Sequence, residues 1–261
     1  MSGRRLIIGD LHGSFKALRE CLDKASFNPE EDALYSVGDI ADGYPDVYEC
    51  LSFLRAIPSF HPVIGNHDVW LQNWLSSNIA AEIWRRQGGE KSMISFERNN
   101  VSDEEKKDLV KWMSTWPYVI MLRDAAIMHG GPGFNLSDED VERLSRKKRK
   151  TTESAPDGLR VPRRKADTVL WDREYFRASE YDEKTKERKP IGHWTEGKWL
   201  FTGHTEFGKT KPFISHLHRF VNLDTMAGSY GCLTLMDMDT FEYWQSEYSS
   251  KLYPGYGPGY W

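Results

Sequence analysis

Three short apolar runs near the N-terminus each end in a glycine that is followed at once by polar side chains. The junctions read LIIGDLHG (residues 6–13), ALYSVGDIADG (33–43) and PVIGNHD (62–68). Such runs predict strands, and apolar residues at helical spacing lie between them. Strand, polar turn, helix and strand in this order are typical of βαβ units, whose ligand groups collect at the carboxyl ends of the strands. The chain is therefore predicted to be an α/β protein with a polar sheet edge.

Two later junctions repeat the arrangement. The apolar run 125–128 ends in HGG, and the run 199–201 ends in TGHT. Hard and borderline divalent ions prefer a mixture of carboxylate, amide and imidazole ligands, and a carboxylate can bridge two ions about 3.5–4 Å apart. The five strand ends therefore predict a metal centre suited to displacement at phosphorus. The residues they supply are Asp10, His12, Asp39, Asp42, Asn66, His67, His129 and His204.

The series GDLHG, GDIADG, GNHD, HGG and GHT resembles the motifs of the calcineurin-like metallophosphoesterases. The phosphoprotein-phosphatase branch, in its bacterial and phage form, is the most similar. GGEKSMISF (88–96), VLWDRE (169–174) and VNLDTMAGSYGCLTLMDMDT (221–240) also resemble that branch. The resemblance implies one domain over residues 1–261 with a four-layer αββα sandwich of two mixed β-sheets flanked by helices. The βαβ spacing alone would also allow a simple doubly wound sheet.

The resemblance implies two divalent metal ions, most typically Mn²⁺. Fe or Zn is also possible, because such a ligand set discriminates poorly between these ions. Asp39 would bridge the two ions, and Asp10 and His12 would bind the first. The second ion would be bound by Asn66, His129 and His204.

Two further residues are similar to the family's proton-transfer pair. His67 resembles the general acid that protonates the leaving oxygen, a role that contributes about 10²–10⁴-fold to the rate. Asp42 resembles the carboxylate that orients it. Asp68 stands where this branch usually has Glu, and it is expected to support the loop rather than to take part in the chemistry.

The chain departs from the branch at positions that usually bind phosphate oxygens. The branch normally has arginines where this chain has Gly43 and Ile64. Arg173 matches a third phosphate-binding arginine, although pairing with a neighbouring acid at the surface would explain it equally well. Asn66 would also contact the phosphate. The loss of two guanidinium groups weakens bidentate recognition, which would favour a singly charged diester over a dianionic monoester. Glu206, where the branch often has Pro, is expected to face solvent.

The implied activity is hydrolysis of phosphate monoesters by a hydroxide held on the metal pair, without a covalent enzyme intermediate. A serine/threonine protein phosphatase is the first substrate assignment. A nucleotide or RNA-end phosphoesterase, which would cleave dinucleoside tetraphosphates or 2′,3′-cyclic phosphates, is the alternative. A non-catalytic nucleic-acid-binding protein that uses a basic loop is the alternative from another class.

One stretch of the chain is strongly basic. Residues 143–165 contain ten Lys or Arg against two acids, whereas the whole chain has a formal charge of −4. This excursion, rich in Ser, Thr and Pro, predicts a flexible surface segment. The run Arg146–Lys150 could also contact a polyanion such as RNA or a phosphorylated protein, because phosphate neutralisation requires clustered cations. The tail, residues 250–261, is rich in Gly and Pro and predicts irregular structure.

The bulk features predict a cytoplasmic location. The three cysteines are odd in number and far apart, which disfavours a disulfide framework. The first residues, MSGRRLIIGD, contain too short an apolar run for a signal-peptide core, and no run approaches the roughly 20 residues of a membrane span.

Overall fold

Two five-stranded mixed sheets form the centre of the computed structural model, which describes residues 3–133, 136–146, 165–173, 181–182, 187–188, 197–206 and 210–256. Within the first sheet, the three strands nearest one edge run parallel, and the other two run antiparallel to their neighbours. The spatial order is β12 (Tyr243–Gln245), β11 (Thr234–Asp237), β1 (Arg5–Ile8), β2 (Ala33–Ser36) and β3 (Phe60–Pro62).

The second sheet has three parallel central strands and an antiparallel strand at each edge. Its order is β4 (Val119–Met121), β5 (Ala125–Met128), β8 (Trp199–Thr202), β10 (Phe220–Asn222) and β9 (Phe213–Ser215). A separate two-stranded sheet pairs β6 (Tyr181–Asp182) with β7 (Glu187–Arg188).

The two large sheets pack face to face. Alternate side chains of each strand point to opposite faces, so one set faces the other sheet and the other set faces the helices. Ile7 of β1 belongs to an apolar cluster with Ile127 of β5 and Phe201 of β8, so this cluster fills the space between the sheets. Leu6 and Ile8 point the other way and belong to the larger cluster that includes the helices. The four-layer αββα sandwich is therefore confirmed.

Helices cover the outer face of each sheet. The first helix packs on β11 and β12, and a later helix packs on β4 of the second sheet. The helices are α1 (Phe15–Lys24), α2 (Val47–Arg55), α3 (Asn66–Ser77), α4 (Glu82–Trp84), α5 (Glu90–Arg98), α6 (Asp103–Met113), α7 (Asp138–Arg146), α8 (Lys165–Trp171) and α9 (Ser249–Leu252). A π-helical turn, Arg85–Gly89, joins α4 to α5, and the three together are called the kinked helix here.

The structure divides one predicted helix into two. The apolar pattern over 70–84 predicts a single helix, but α3 begins earlier, at Asn66, and ends at a left-handed Asn78 with φ 58°. A residue in this conformation ends a helix because its N–H turns back to a carbonyl of the last turn. The GNHD motif, predicted as a polar turn that follows a strand, therefore begins a helix.

Parts of two predicted surface segments lie outside the described residues. Of the basic run Arg146–Lys150, residues 147–150 are not described, and of the tail, residues 257–261 are not described. The described part of the tail contains α9 and a buried Tyr253. No helix in the described ranges is long and apolar enough to cross a membrane.

Candidate active site

The carboxyl ends of strands from both sheets surround one cavity of about 450 Å³. Strands β1 and β2 lead into the turns that carry Asp10 and Asp39, whereas β5 and β8 lead into His129 and His204. All eight residues predicted from the strand ends are buried in the cavity wall or directly behind it. They are Asp10, His12, Asp39, Asp42, Asn66, His67, His129 and His204.

Asp39 belongs to two overlapping groups of potential metal ligands. One group is Asp10, His12 and Asp39, and within it the ligand atoms all lie within 4.8 Å of one another. The other group, Asp39, His129 and His204, satisfies the same 4.8 Å limit. A carboxylate shared by two ligand groups is the arrangement that a bridged pair of cations requires.

Two of the imidazoles are held by backbone carbonyls behind the cavity. His12 Nδ1 lies 3.0 Å from the carbonyl oxygen of Ala41, and His129 Nδ1 lies 2.9 Å from that of Val37. Because a carbonyl can only accept, Nδ1 is the protonated nitrogen in both rings. In the neutral form of each ring, Nε2 is therefore the nitrogen that carries the lone pair. Metal-binding histidines in proteins are usually oriented in this way.

Several acceptor atoms meet around His129 Nε2. It lies 2.9 Å from Asn66 Oδ1 and 3.1 Å from Asp39 Oδ2. Nε2 of His129 thus has a carboxylate oxygen and an amide oxygen close to it. Imidazole nitrogen, amide oxygen and carboxylate oxygen are all ligands for divalent cations. Asn66 is thus placed with the second ligand group, as the sequence motif predicts.

Two buried atoms that lack hydrogen-bond partners indicate that the site can hold cations. Across the described ranges, neither Asp10 Oδ1 nor His204 Nε2 has a hydrogen-bond partner, although both atoms are buried. A buried polar group left unsatisfied costs about 1–3 kcal/mol. One atom belongs to each ligand group, so a cation in each group would satisfy both. The residues present therefore fit a pair of divalent ions.

The electrostatics of the cluster also favour cations. Burial raises the pKa of Asp10 well above its usual range, and the charges of Asp224 and Asp39 raise it further. Burial lowers the pKa of His12 to about 3 and takes the pKa of His204 well below its usual value. Neutral imidazoles are the metal-binding form, and bound cations would offset the repulsion between the carboxylates.

Four residues of the site have a strained backbone. His12 (φ 47°), Asp39 (φ 50°), Asp42 (φ 69°) and His204 (φ 66°) all have positive φ values. Non-glycine residues rarely adopt this conformation, and where they do, strain is typically stored at a functional site. Three of them, His12, Asp39 and His204, line the cavity, so part of the stability of the fold is spent on the site.

Asp68 holds two of the motif turns together. Its carboxylate accepts hydrogen bonds from the backbone N–H groups of Asp39, Gly65, Ile40 and Ala41 at 2.8–3.0 Å. Gly65 is the N-cap of α3 and Asp68 is the third residue of the helix. The hydrogen bond from the Gly65 N–H to the Asp68 carboxylate is therefore that of a capping box. These contacts agree with the loop-supporting role predicted for Asp68.

His67 and Asp42 form a buried pair beside the metal ligands. His67 Nδ1 lies 2.8 Å from Asp42 Oδ2. Burial alone would lower the pKa of His67, but the charges of Asp39 and Asp42 outweigh it and raise that pKa. Burial has the opposite effect on a carboxyl group, and it raises the pKa of Asp42. Because His67 also lines the cavity, its ring is placed where it could transfer a proton to a ligand.

The sequence of the chain matches a known family over most of its length. The pattern of the calcineurin-like phosphoesterases matches residues 3–206, a range that includes all five strand-end motifs. The chain belongs to the calcineurin-like phosphoesterase family. Membership confirms the resemblance and indicates a hydrolase.

Two curated relatives of this calcineurin-like phosphoesterase carry different names. A symmetrical bis(5′-nucleosyl)-tetraphosphatase from Aromatoleum aromaticum is 29% identical over 130 residues, which are 49% of this chain and 44% of that protein. A serine/threonine-protein phosphatase 1 from Salmonella typhimurium is 36% identical over 84 residues, 32% of this chain and 38% of that protein. The chain therefore spans less than half the length of either relative.

The solved structures extend the likeness to the whole fold. A cold-active protein-tyrosine phosphatase from a psychrophilic Shewanella superimposes with a TM-score of 0.57, covering 95% of this chain and 81% of that chain. The sequence identity is 18%, so the comparison shows the shared fold alone.

This calcineurin-like phosphoesterase has little positive charge in its cavity. Gly43 has a φ of 76°, and a Cβ there would lie 2.8 Å from His12 Cβ, so the turn has no room for an arginine. Ile64 is fully buried in the core. Among the described lining residues, Arg173 is the one guanidinium, and its side chain is exposed at the cavity.

Gln87 and Asp224 also line the cavity with Arg173 and were not predicted from the sequence. Trp171, which its place beside Arg173 in the sequence allowed either to wall the site or to pack in the core, lines the cavity as well. Asp224 lies in a segment whose family likeness was recognised without a role for this residue. Burial raises its pKa to about 7, with a further contribution from the charge of Glu206.

The expectation that Glu206 faces solvent is wrong. Its side chain is half-buried, lines the cavity and accepts a hydrogen bond of 3.0 Å from Ser229 Oγ. The chain turns beyond β8 at His204, which has a φ of 66°, and both His204 and Glu206 line the cavity.

Proposed function

We propose that this protein is a divalent-metal-dependent phosphoesterase that transfers a phosphoryl group to water in the cavity at the carboxyl ends of the strands. One observation carries the proposal: two ligand groups share the carboxylate of Asp39, and the His67–Asp42 pair adjoins the same cavity. Metal ligands and a proton donor at one site are the components that hydrolysis of a phosphate ester requires.

Seven contacts with cations follow from the ligand groups. Asp10, His12 and Asp39 would hold one ion, and Asp39, Asn66, His129 and His204 would hold the other. Bound ions would supply Lewis acidity that ionises water and neutralises the charge of the phosphate. Mn²⁺ is the first ion proposed, because carboxylate and carbonyl oxygens suit it, whereas Fe or Zn would suit the imidazoles.

Side chains of the protein would supply the proton that the leaving oxygen accepts. As the phosphorus–oxygen bond to the leaving group breaks, His67 would give its proton to that oxygen. Asp42 accepts a hydrogen bond from His67 Nδ1, so it fixes the ring and stabilises its protonated form. This leaves Nε2 as the nitrogen that can face a substrate.

Arg173 and Asn66 are the proposed phosphate contacts. Arg173 lines the cavity near His204, whose pKa is lowered by burial first and then by the charge of Arg173. A single flexible guanidinium gives a weaker grip on a phosphate than several fixed ones. Catalysis would therefore depend strongly on the cations.

A phosphoprotein monoester is the first substrate class. The branch that the motifs resemble, together with the Salmonella relative named as a serine/threonine-protein phosphatase, supports it. In this assignment the exposed position of Arg173 at the rim would suit a large substrate that stays largely outside the cavity.

A dinucleoside polyphosphate is the second class, and two observations favour it. The Aromatoleum relative is named as a symmetrical bis(5′-nucleosyl)-tetraphosphatase. The cavity of about 450 Å³ is of a size that holds small ligands, and Trp171 in its wall offers an aromatic face on which a base could stack.

Phosphate release from a small substrate panel tests the proposal. Chelator-stripped protein would be assayed with and without Mn²⁺ on p-nitrophenyl phosphate, bis-p-nitrophenyl phosphate, a phosphoserine peptide and diadenosine tetraphosphate. We expect Mn²⁺-dependent hydrolysis of at least one of them. Asp39→Asn should abolish it, whereas Asp23→Asn, an exposed aspartate on α1, should not. If Mn²⁺-loaded protein hydrolyses none of them, the proposal fails and a non-catalytic nucleic-acid-binding role gains support.

A further inference from the structure

The carboxylate of Asp42 receives more hydrogen bonds than its pairing with His67 requires. Trp84 Nε1 donates to both oxygens, at 2.9 Å to Oδ1 and 2.8 Å to Oδ2. Ser92 Oγ donates to Oδ1 at 2.6 Å. The backbone N–H of Asp42 in turn donates to Ser92 Oγ at 3.1 Å. Ser92 therefore binds the side chain and the backbone of Asp42 together.

These contacts fix the orientation of the Asp42 carboxylate. Oδ1 is occupied by Ser92, and the indole N–H of Trp84 spans both oxygens, so the carboxylate cannot rotate without losing three bonds. Oδ2 is then the oxygen that faces His67. All three side chains are fully buried, or nearly so, with Trp84 at 1% and Ser92 at 0% exposed. A buried hydrogen-bond network of this kind fixes one orientation strongly.

Trp84 and Ser92 come from one element, the kinked helix, and its shape explains how both reach Asp42. Gln87 and Gly88 leave helical geometry between them, with Gly88 at φ 96°. A Cβ on Gly89 would overlap the indole of Trp84, so the bare glycine lets α5 pack against that ring. A regular helix would place positions 84 and 92 about 12 Å apart along its axis. The kink brings both donors to the same carboxylate.

Helix α5 also forms hydrogen bonds with the loop that follows Asp42. Ser95 accepts a hydrogen bond from the backbone N–H of Tyr48 at 3.0 Å, and Arg98 donates to the carbonyl of Pro45 at 3.1 Å. Positions 92, 95 and 98 lie on adjacent turns of α5 and form one stripe along it. Of these three residues, Ser92 contacts Asp42, whereas Ser95 and Arg98 bind residues 45–49 at the start of α2.

We infer that Trp84 and Ser92 are positioning residues that orient the Asp42 carboxylate, and through it the His67 ring, for proton transfer to the leaving oxygen. The inference rests on the proposed function, which it extends to two residues that touch neither substrate nor metal. Their effect should appear in the proton-transfer step and not in metal binding.

The first test compares leaving groups. With the metal-loaded protein, Ser92→Ala and Trp84→Phe should lower kcat for phenyl phosphate by about 10–100-fold, and for p-nitrophenyl phosphate by less than about threefold, because nitrophenolate leaves without a proton. Ser92→Thr, which keeps the hydroxyl, should recover most of the loss. Ser95→Ala is the matched control, a buried serine on the same stripe that does not contact Asp42, and it should change neither rate by more than about twofold.

A double-variant comparison separates positioning from general damage. In a His67→Ala background, Ser92→Ala should cause little further loss, because residues that act as one unit are not additive. A full additional loss would show that Ser92 acts independently of His67 and would overturn the inference. Equal losses for both leaving groups in Ser92→Ala would also overturn it.

The second test does not depend on activity. In the Zn²⁺-loaded, ¹⁵N-labelled protein, the Nδ1–H proton of His67 should resonate far downfield and exchange slowly with water. Ser92→Ala and Trp84→Phe should move it upfield and speed its exchange, whereas Ser95→Ala should leave it unchanged. An unchanged signal in both Ser92→Ala and Trp84→Phe would refute the positioning role even if no substrate is hydrolysed. Failure of the substrate panel with a displaced signal would refute the proposed function alone.

Discussion

The carboxylate of Asp68 accepts a hydrogen bond of 2.8 Å from the backbone N–H of Asp39, the residue shared by both ligand groups. The same carboxylate binds three further backbone N–H groups, including that of Gly65 at 2.9 Å. One buried side chain thus fixes the turn that ends the β2 segment relative to the turn that begins α3.

Asp68→Ala should destabilise the fold and weaken metal binding together. Four backbone N–H groups would lose their acceptor, and we expect a loss of about 3–5 kcal/mol in the free energy of unfolding. Asp68→Asn keeps an acceptor for some of these groups and should lose less. Urea unfolding and a Mn²⁺ titration of each variant provide the measurement. An Asp68→Ala protein as stable as Asp68→Asn would show that the hydrogen bonds to the Asp68 carboxylate do not stabilise the fold.

His67→Ala should reveal the proton donor through its dependence on the leaving group. With a proton donor removed, a poor leaving group such as phenoxide should lose about 10²–10⁴-fold in kcat. A good leaving group such as p-nitrophenoxide should lose much less. His61→Ala, an exposed histidine outside the cavity, is the matched control. A loss in His67→Ala that is independent of the leaving group would contradict the assignment.

Gly203→Ala should prevent Asp10 from reaching its place. A Cβ on Gly203 would overlap Asp10 Oδ1, one of the buried atoms that lacks a partner. We expect lower thermal stability and the loss of at least one bound metal ion per chain. In the double variant Gly203→Ala/Asp10→Ala the obstruction is relieved, so stability should partly recover while metal binding does not. Metal binding by Gly203→Ala equal to that of the wild type would count against the geometry.

Asp224→Asn should stabilise the metal-free protein at alkaline pH. The pKa of Asp224 is raised to about 7 by burial and the charge of Glu206, whereas an unfolded carboxyl titrates near ~3.9. The folded state therefore binds more protons between these values, and stability falls as pH rises through that window. The variant lacks this penalty, so it should exceed the wild type by about 1–3 kcal/mol at pH ~8 and by little at pH ~4. Urea unfolding of both proteins across this range measures the difference, and a gain that grows towards low pH would contradict the sign.

The sequence predicts the ligand residues well because each one follows a strand. An apolar run that ends in glycine and a polar residue carries its position in the local pattern, and the carboxyl ends of parallel strands meet at one edge. Asp10, Asp39 and His129 could therefore be expected to converge. The four-layer sandwich itself needed the family resemblance, since the same spacing also fits a doubly wound sheet.

The supporting residues could not be predicted in this way. Trp84 and Ser92 lie 42 and 50 positions from Asp42 in the chain, and their contacts depend on a kink at Gln87 and Gly88. No local periodicity encodes such a contact. Glu206 likewise lines the cavity because of a turn beyond β8 and not because of its neighbours in sequence.

Metal stoichiometry of the freshly purified protein tests the central claim most directly. Elemental analysis and a Mn²⁺ titration of stripped protein should give two divalent ions per chain, and one or none in Asp39→Asn, with Asp23→Asn unchanged. A wild-type protein that binds no divalent ion, or an Asp39→Asn protein that still binds two, would contradict the account.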